Sequence, residues 1–186
     1  MTATRVSICN AALRMLGERV IASFDEDTEL AEHCRDIYDQ TRRSILRDHP
    51  WSCARKRTIL SPISTHPSFG YTHAFPLPKD FIRLVDPNLS CYEVEGRHIL
   101  ANTNQVKLVY IFDNDNEDTW DSMLAEAMSL KLAARMCKPI TGSDATAQTA
   151  EIEYQKLKKS ARAVNAQERP SQDMQYEPSS YLGERY

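Results

Sequence analysis

The sequence predicts an α+β fold, in which an antiparallel helical bundle of about four helices carries an inserted small antiparallel β-sheet domain and an extended C-terminal tail. Apolar residues recur at helical spacing in the first and last parts of the chain, and they alternate or cluster in short runs in the middle. The final stretch is polar. With 186 residues and 41% hydrophobic content, the chain is long enough for one core with appendages. Four segments are predicted: 1–50, 51–112, 113–165 and 166–186.

Residues 1–50 are predicted to form a pair of helices. The first spans residues 4–16, with Thr4 as N-cap and Gly17 at a left-handed C-cap. The second runs from about Thr28 to about Arg47, and Pro50 stops its pattern. The residues predicted to form its inward face recur at steps of three and four: Leu30, Cys34, Ile37, Thr41 and Ile45. Its acidic start and basic end suit the helix dipole.

Residues 51–112 are predicted to be rich in β-structure. From Trp51 the apolar period changes to two, which predicts a strand that begins there and buries Trp51 and Cys53. Residues 60–80 contain four prolines and a glycine, so a long loop is expected. The runs FIRLVD, CYEV, RHIL and VKLVYIF then predict strands of one antiparallel sheet, with a hairpin turn at Glu95 and Gly96.

Residues 113–165 are predicted to form the second helix pair. One helix covers 123–137 and ends because of Pro139; the other covers about 143–165. The apolar stripe of the last helix contains Ile152, Tyr154, Leu157, Ala161 and Val164. The acidic run DNDNEDTWD at 113–121 lacks the glycine and the glutamate of a calcium loop. It is predicted to be a solvated connection in which Asp118 or Thr119 caps the helix.

Residues 166–186 form a polar segment with two prolines and with tyrosines at 176, 181 and 186. Such a composition cannot bury enough surface to fold alone. The segment is therefore predicted to dock on a partner, with Tyr176, Tyr181 and Tyr186 as its anchors.

The composition disfavours several function classes. A net charge of −3 gives no overall basic field for nucleic acid, and no 18-residue apolar window or export signal occurs. The five cysteines and five histidines are scattered singly, which disfavours a disulfide framework and a metal site. Cys53 follows His49 by four residues but has no identifiable orienting Asn or Asp, so a buried cysteine is favoured. Cys34, which follows His33, lies on the apolar stripe of the second helix, so it is also predicted to be buried. No cofactor is expected.

The strongest local charge lies in residues 42–57, which hold six Lys or Arg against one Asp. With Trp51 available for stacking, this segment could contact nucleic acid, but charge runs are more often solvated faces. These cations are therefore predicted to be subunit or partner contacts: Arg42, Arg43, Arg47, Arg55, Lys56 and Arg57.

The order of several segments resembles the head-to-tail adaptors of short-tailed bacteriophages, the tail tubular protein A family. The segments are CNAALRMLGERVIASFDEDTELA, YDQTRRSILRDHPWSCARKRTIL, GYTHAFPLPKDFIRLV, YEVEGRHIL and VKLVYI. Each is weak alone. The order is more specific, above all HPW followed by alternating basic residues, and the FPLPKDFIR motif.

The resemblance implies a structural virion protein without catalysis. Such subunits form rings, usually of about twelve copies, that join the portal protein to the tail nozzle, contact tail fibres, and leave a channel for double-stranded DNA. The protein would be made in the host cytoplasm and located in the virion tail, away from any membrane. Its C-terminal tail, with Tyr176, Tyr181 and Tyr186, would reach the portal.

Two alternatives remain open at the level of sequence. One is a DNA-binding packaging or head-completion factor, in which residues 42–57 hold the nucleic acid. The other is a virion-associated hydrolase that uses carboxylates such as Glu26, Asp27 or Asp118.

Overall fold

The structure, a computed structural model, describes residues 3–167, without the side chain of residue 166. Within this range the chain folds into four α-helices and two three-stranded antiparallel sheets. The α+β class predicted from the sequence is confirmed. Of the predicted tail, residues 166 and 167 belong to the last helix, and residues 168–186, with the three tyrosines, lie outside the described residues.

The first two helices precede all of the strands. Helix α1 covers Arg5–Met15, and α2 covers Glu29–Asp48. The predicted N-cap of α1 is confirmed, because the Thr4 hydroxyl accepts a hydrogen bond from the Ser7 amide. Thr28, the predicted start of the second helix, is the N-cap of α2, and its hydroxyl accepts a hydrogen bond from the Ala31 amide. Gly17 adopts φ = +79°, the left-handed conformation expected just past a helix end.

Six strands and one short helical turn follow α2. The strands are β1 (Arg55–Leu60), β2 (His73–Pro76), β3 (Phe81–Asp86), β4 (Glu93–Glu95), β5 (His98–Ala101) and β6 (Val106–Phe112). The strand predicted from Trp51 begins instead at Arg55, because Ser52–Ala54 form a 3₁₀ turn that closes on Trp51. Trp51 is buried, whereas Cys53 is only half-buried.

The strands form two sheets, whereas the sequence predicted one. The first sheet has the order β1-β6-β3 and the second has the order β2-β5-β4. Residues 102–105 connect β5 of the second sheet to β6 of the first. Strand β2 lies in the segment predicted to be a long loop. It can contain Pro76 because β2 is an edge strand and pairs only with β5. The predicted hairpin joins β4 to β5, with Gly96 at φ = +54°.

The last two helices return to the helical side of the molecule. Helix α3 covers Ser122–Thr141 and α4 covers Ala145–Gln167. The predicted end of α3 before Pro139 is wrong, since the proline lies inside the helix. The helix ends at Gly142, which has φ = +68° and donates its amide to Lys138 O at 3.0 Å. The Thr141 hydroxyl donates to Cys137 O, so a side chain satisfies another carbonyl of this last turn.

Two apolar cores meet at β6. The larger core joins the four helices, with α3 in contact with each of the other three, and includes Trp51, Trp120 and Ile111. The smaller core lies within the sheets and includes Phe75, Leu108 and Tyr110. Because neighbouring residues of a strand point to opposite faces, Tyr110 and Ile111 serve different cores. The predicted apolar stripe of α4 is wrong at Ile152 and Val164, whose side chains are 57% and 42% exposed.

Candidate functional site

The cationic segment 42–57 lies where the helices meet the first sheet. It comprises the last turns of α2, the 3₁₀ turn and the first half of β1. Its six cations do not form one patch. They divide between acids of the chain itself, backbone carbonyls and the protein surface.

Arg42 and Arg43 converge on one carboxylate. Arg42 Nε lies 3.0 Å from Asp113 Oδ1, and Arg43 Nε lies 2.7 Å from Asp113 Oδ2. The Arg42 side chain is only 4% exposed and also contacts Asp39 at 2.6 Å. Burial alone would raise the pKa of Asp113, but hydrogen bonds from the two arginines outweigh it and hold that pKa below its ordinary value. The ion pairs of Arg42 therefore lie within the chain itself.

Arg47 and Arg83 join the end of α2 to β3. Arg47 donates from Nη1 to Ile82 O at 2.9 Å, and Arg83 donates from Nη1 to Arg47 O at 3.1 Å and to Asp48 O at 3.3 Å. Arg83 thus satisfies carbonyls that a helix leaves without partners at its C-terminal end. A cation at this end also suits the helix dipole.

Lys56 holds β1 against the segment before β3. Its Nζ lies 2.7 Å from Asp80 Oδ2 and 4.5 Å from the centroid of the Phe112 ring. Tyr110 donates its hydroxyl to Asp80 Oδ1 at 3.0 Å. Burial would raise the pKa of Asp80, but the hydrogen bonds from Lys56 and Tyr110 lower it overall. Burial and the hydrogen bond to Asp80 raise the pKa of Tyr110 to about 12.

Arg55 and Arg57 lie on one face of β1, opposite Ile111 and Val109 of β6, while Lys56 points to the other face. Arg55 is half-buried, and Arg57 is exposed. Arg57 is therefore accessible to another molecule from this face of β1.

His49 and Trp51 are part of the packing. His49 is 1% exposed, its Nε2 lies 2.6 Å from Asn165 Nδ2, and its ring centroid lies 4.6 Å from that of Trp51. Trp51 donates from Nε1 to Ile45 O at 3.2 Å. Burial, and then the charge of Arg162, lower the pKa of His49, so this side chain is neutral near pH 7. These contacts join the end of α2 to the last turns of α4.

The cysteines that follow a histidine lie in protected surroundings. Cys53 donates from Sγ to Asp121 Oδ2 at 3.6 Å, and burial raises its pKa to about 11, which disfavours the reactive thiolate at neutral pH. Cys34 is fully buried, with its Sγ 3.8 Å from Met136 Sδ. Both positions are typical of cysteines that act as small apolar residues.

Of the carboxylates of the hydrolase alternative, Glu26 and Asp27 lie between α1 and α2, and Asp118 lies between β6 and α3. Glu26 accepts a hydrogen bond from the Ala22 amide at 2.8 Å, and Asp27 and Asp118 are exposed. Asp118 belongs to a 3₁₀ turn, Glu117–Thr119, and does not cap α3. The cap is Asp121, whose Oδ1 accepts from the Leu124 amide at 2.7 Å. Across residues 3–167, no group of three or more His, Cys, Asp or Glu side chains could hold a metal ion.

Glu117 is a buried acid on the helical side of the molecule that was not predicted from the sequence. Glu117 is 8% exposed; its Oε1 lies 3.0 Å from Arg5 Nε and accepts the Tyr38 hydroxyl at 3.2 Å. Burial and the charge of Glu117 raise the pKa of Tyr38. The sequence does contain a signal for the burial of Tyr38, the partner of Glu117, because Tyr38 lies four residues after Cys34 on the apolar stripe of α2.

A second missed contact ties α2 to α4. Asp48 Oδ2 accepts from the Tyr154 hydroxyl at 2.7 Å and lies 2.8 Å from Lys158 Nζ. Burial would raise the pKa of Asp48, but these two hydrogen bonds lower it. Pairings of this kind join residues far apart in the chain, so no local pattern reveals them.

No helix within residues 3–167 is both long enough and apolar enough to cross a bilayer. Comparison of the chain with protein-family models gives no match, and comparison with curated proteins gives none either.

Proposed function

We propose that this chain is a structural subunit of a phage virion, a head-to-tail adaptor that joins the portal protein to the tail nozzle. In this proposal about twelve copies form a ring around part of the DNA ejection channel. The four helices form an antiparallel bundle, the sheets form an inserted domain, and residues 166–186 reach the portal through Tyr176, Tyr181 and Tyr186. The protein would be located in the virion and would catalyse no reaction.

The observation that carries the proposal is the contact between the two most specific motifs of the resemblance. The basic residues that follow HPW supply Lys56, Arg47 lies two residues before HPW, and the FPLPKDFIR motif supplies Asp80, Ile82 and Arg83. Lys56 pairs with Asp80, Arg47 donates to Ile82 O, and Arg83 donates to the end of α2. Together the motifs build the joint between the helices and the first sheet. This joint supports the proposal because it brings together the two motifs on which the resemblance mainly rests.

The DNA-binding alternative receives less support from the same residues. Arg42, Arg43 and Lys56 have acidic partners within the chain, and a paired cation contributes less to phosphate binding than a free one. Its test is binding of the purified chain to duplex DNA. Tight binding that weakens steeply with salt would favour this alternative over the adaptor.

The adaptor proposal is tested by the mass of the purified full-length chain, alone and mixed with the portal protein of the same phage. We expect a monomer alone and a ring on the portal, visible by native mass spectrometry and by negative-stain electron microscopy. A chain that remains monomeric and ignores the portal would contradict the proposal.

A further inference from the structure

Within residues 3–167, two strands that lie at sheet edges, with no further strand beside them, carry opposite charge. Strand β1 is an edge of the first sheet, and β4 is an edge of the second. Within the described residues, a groove of about 430 Å³ runs along β1 and is lined by Ser52, Arg55, Lys56, Arg57 and Val109. All three residues of β4 are exposed. An open edge presents backbone amides and carbonyls that can pair with another strand.

The charges on these edges follow the same spacing. Arg55 and Arg57 share one face of β1, and Glu93 and Glu95 share one face of β4. Like charges placed opposite each other in a sheet are destabilising, so pairing of β1 with β1, or of β4 with β4, is disfavoured. Pairing of β1 with β4 places a glutamate against each arginine, whether the strands run parallel or antiparallel.

We propose that β4 of one copy of this chain pairs edge to edge with β1 of the next copy. This inference rests on the proposed ring and names its subunit contact. The two edges are different surfaces of the same subunit, so the contact is heterologous, and repetition of such a contact closes into a ring when the rotation permits. The two strands then form one sheet that continues across the subunit boundary.

Exposed apolar side chains fit the same contact. Ile59 is 58% exposed and shares its face of β1 with Arg57. Phe69 is 89% exposed and borders a groove of about 620 Å³ that Glu93 and Glu95 also line. When two edge strands pair, the faces of their sheets become continuous. The face of β1 that carries Ile59 then adjoins the face of the neighbouring copy on which Glu93, Glu95 and the groove bordered by Phe69 lie. Burial of apolar surface adds to the attraction between the charges.

The test uses charge reversal in the full-length chain, mixed with the portal protein. Arg57→Glu alone and Glu93→Arg or Glu95→Arg alone should each weaken every contact by about tenfold, because an attraction becomes a repulsion, and ring yield should fall. An equimolar mixture of R57E with one of the two glutamate variants should restore the ring. In such a mixture the copies alternate, and every contact again joins opposite charges.

The partner that rescues R57E also gives the strand direction. In the antiparallel register that faces each arginine with a glutamate, Arg57 lies opposite Glu93, and E93R is the rescuing variant. In the parallel register Arg57 lies opposite Glu95, and E95R is the rescuing variant. Ring mass is read by native mass spectrometry, and far-ultraviolet circular dichroism checks that each variant is folded.

Matched controls reverse exposed charges away from both edges. Arg19→Glu and Glu153→Arg should leave ring yield unchanged. If the unmodified chain forms rings and the single variants form them equally well, or if neither mixture restores them, the edge contact is overturned and the adaptor function stands. If the unmodified chain forms no ring on the portal, the adaptor function falls, and the contact falls with it.

Discussion

Asp113 is the acid on which the buried part of the cationic segment depends. Its two oxygens contact Arg42 and Arg43, and the Arg42 side chain is 4% exposed. When the carboxylate partner of a buried guanidinium is removed, the free-energy cost of taking the guanidinium out of water is no longer offset. We expect Asp113→Asn to lower the free energy of unfolding by about 1–3 kcal/mol in urea denaturation, since the amide keeps one acceptor but not the charge.

The same arginine supplies the control for this substitution. Asp39 also contacts Arg42, but its side chain is 61% exposed, so water screens the pair. Asp39→Asn should cost about 0.5 kcal/mol or less. Equal losses for the two variants would show that burial of Arg42 does not decide the stability of this cluster.

The lowered pKa of Asp113 also predicts how stability changes with pH. A carboxyl with a folded-state pKa below its ordinary value of 3.8 stabilises the fold above that value. This stabilisation is lost as the pH falls through the lower, folded-state pKa. The unmodified chain should therefore exceed D113N in unfolding free energy at pH 7, and the difference should shrink below about pH 4. A difference that stays constant between pH 7 and pH 3 in urea titrations would contradict this assignment.

At the scale of elements, features set by neighbouring residues were predictable from the sequence, and features set by distant residues were not. Thr4 and Thr28 cap helices through amides three residues away, so the sequence contains both partners. Strand β2 was missed because its pairing with β5 joins residues far along the chain and outweighs the prolines around it. The cap of α3 was assigned to Asp118 or Thr119 because several acids crowd that connection.

Two of these acids provide a test of the cap of α3. Asp121 accepts the Leu124 amide, so Asp121→Ala should lower the unfolding free energy by about 1 kcal/mol. Asp118→Ala removes an exposed carboxylate from the preceding 3₁₀ turn and should change it by about 0.5 kcal/mol at most. Thermal unfolding followed by circular dichroism compares the two. A larger loss for the Asp118 variant would reverse the assignment of the cap.

At the scale of the whole molecule, the cationic segment shows why the candidate site was only partly predictable. The sequence identified the six cations but not their partners, because Asp113 lies 70 or more positions beyond Arg42 and Arg43 and Asp80 lies 24 beyond Lys56. The fold divides the segment into internal contacts and one exposed edge. The density of charge along the chain does not predict which cations have internal partners, because those partners are distant acids that only the fold brings near.

The two cores share β6, so the helices and the sheets should unfold together. Phe75 is fully buried in the smaller core, whereas Trp51 and Trp120 belong to the larger one. Phe75→Ala should cost about 3–5 kcal/mol, because it removes a large side chain and leaves a cavity. Since Tyr110 and Ile111 are adjacent in β6, loss of packing on one face of this strand weakens its other face. We therefore expect the urea midpoint from tryptophan fluorescence to fall with that from circular dichroism.

A matched phenylalanine separates coupling between the cores from a general effect of the substitution. Phe69 is 89% exposed, so Phe69→Ala should change the unfolding free energy of the isolated chain by about 0.5 kcal/mol at most. If F75A lowers the circular dichroism midpoint while the fluorescence midpoint stays that of the unmodified chain, the sheets unfold without the helices. In that case the packing of Ile111 in the helical core would be enough to keep β6 folded. Coincident midpoints would instead make β6 the element that couples the helical core to the sheets.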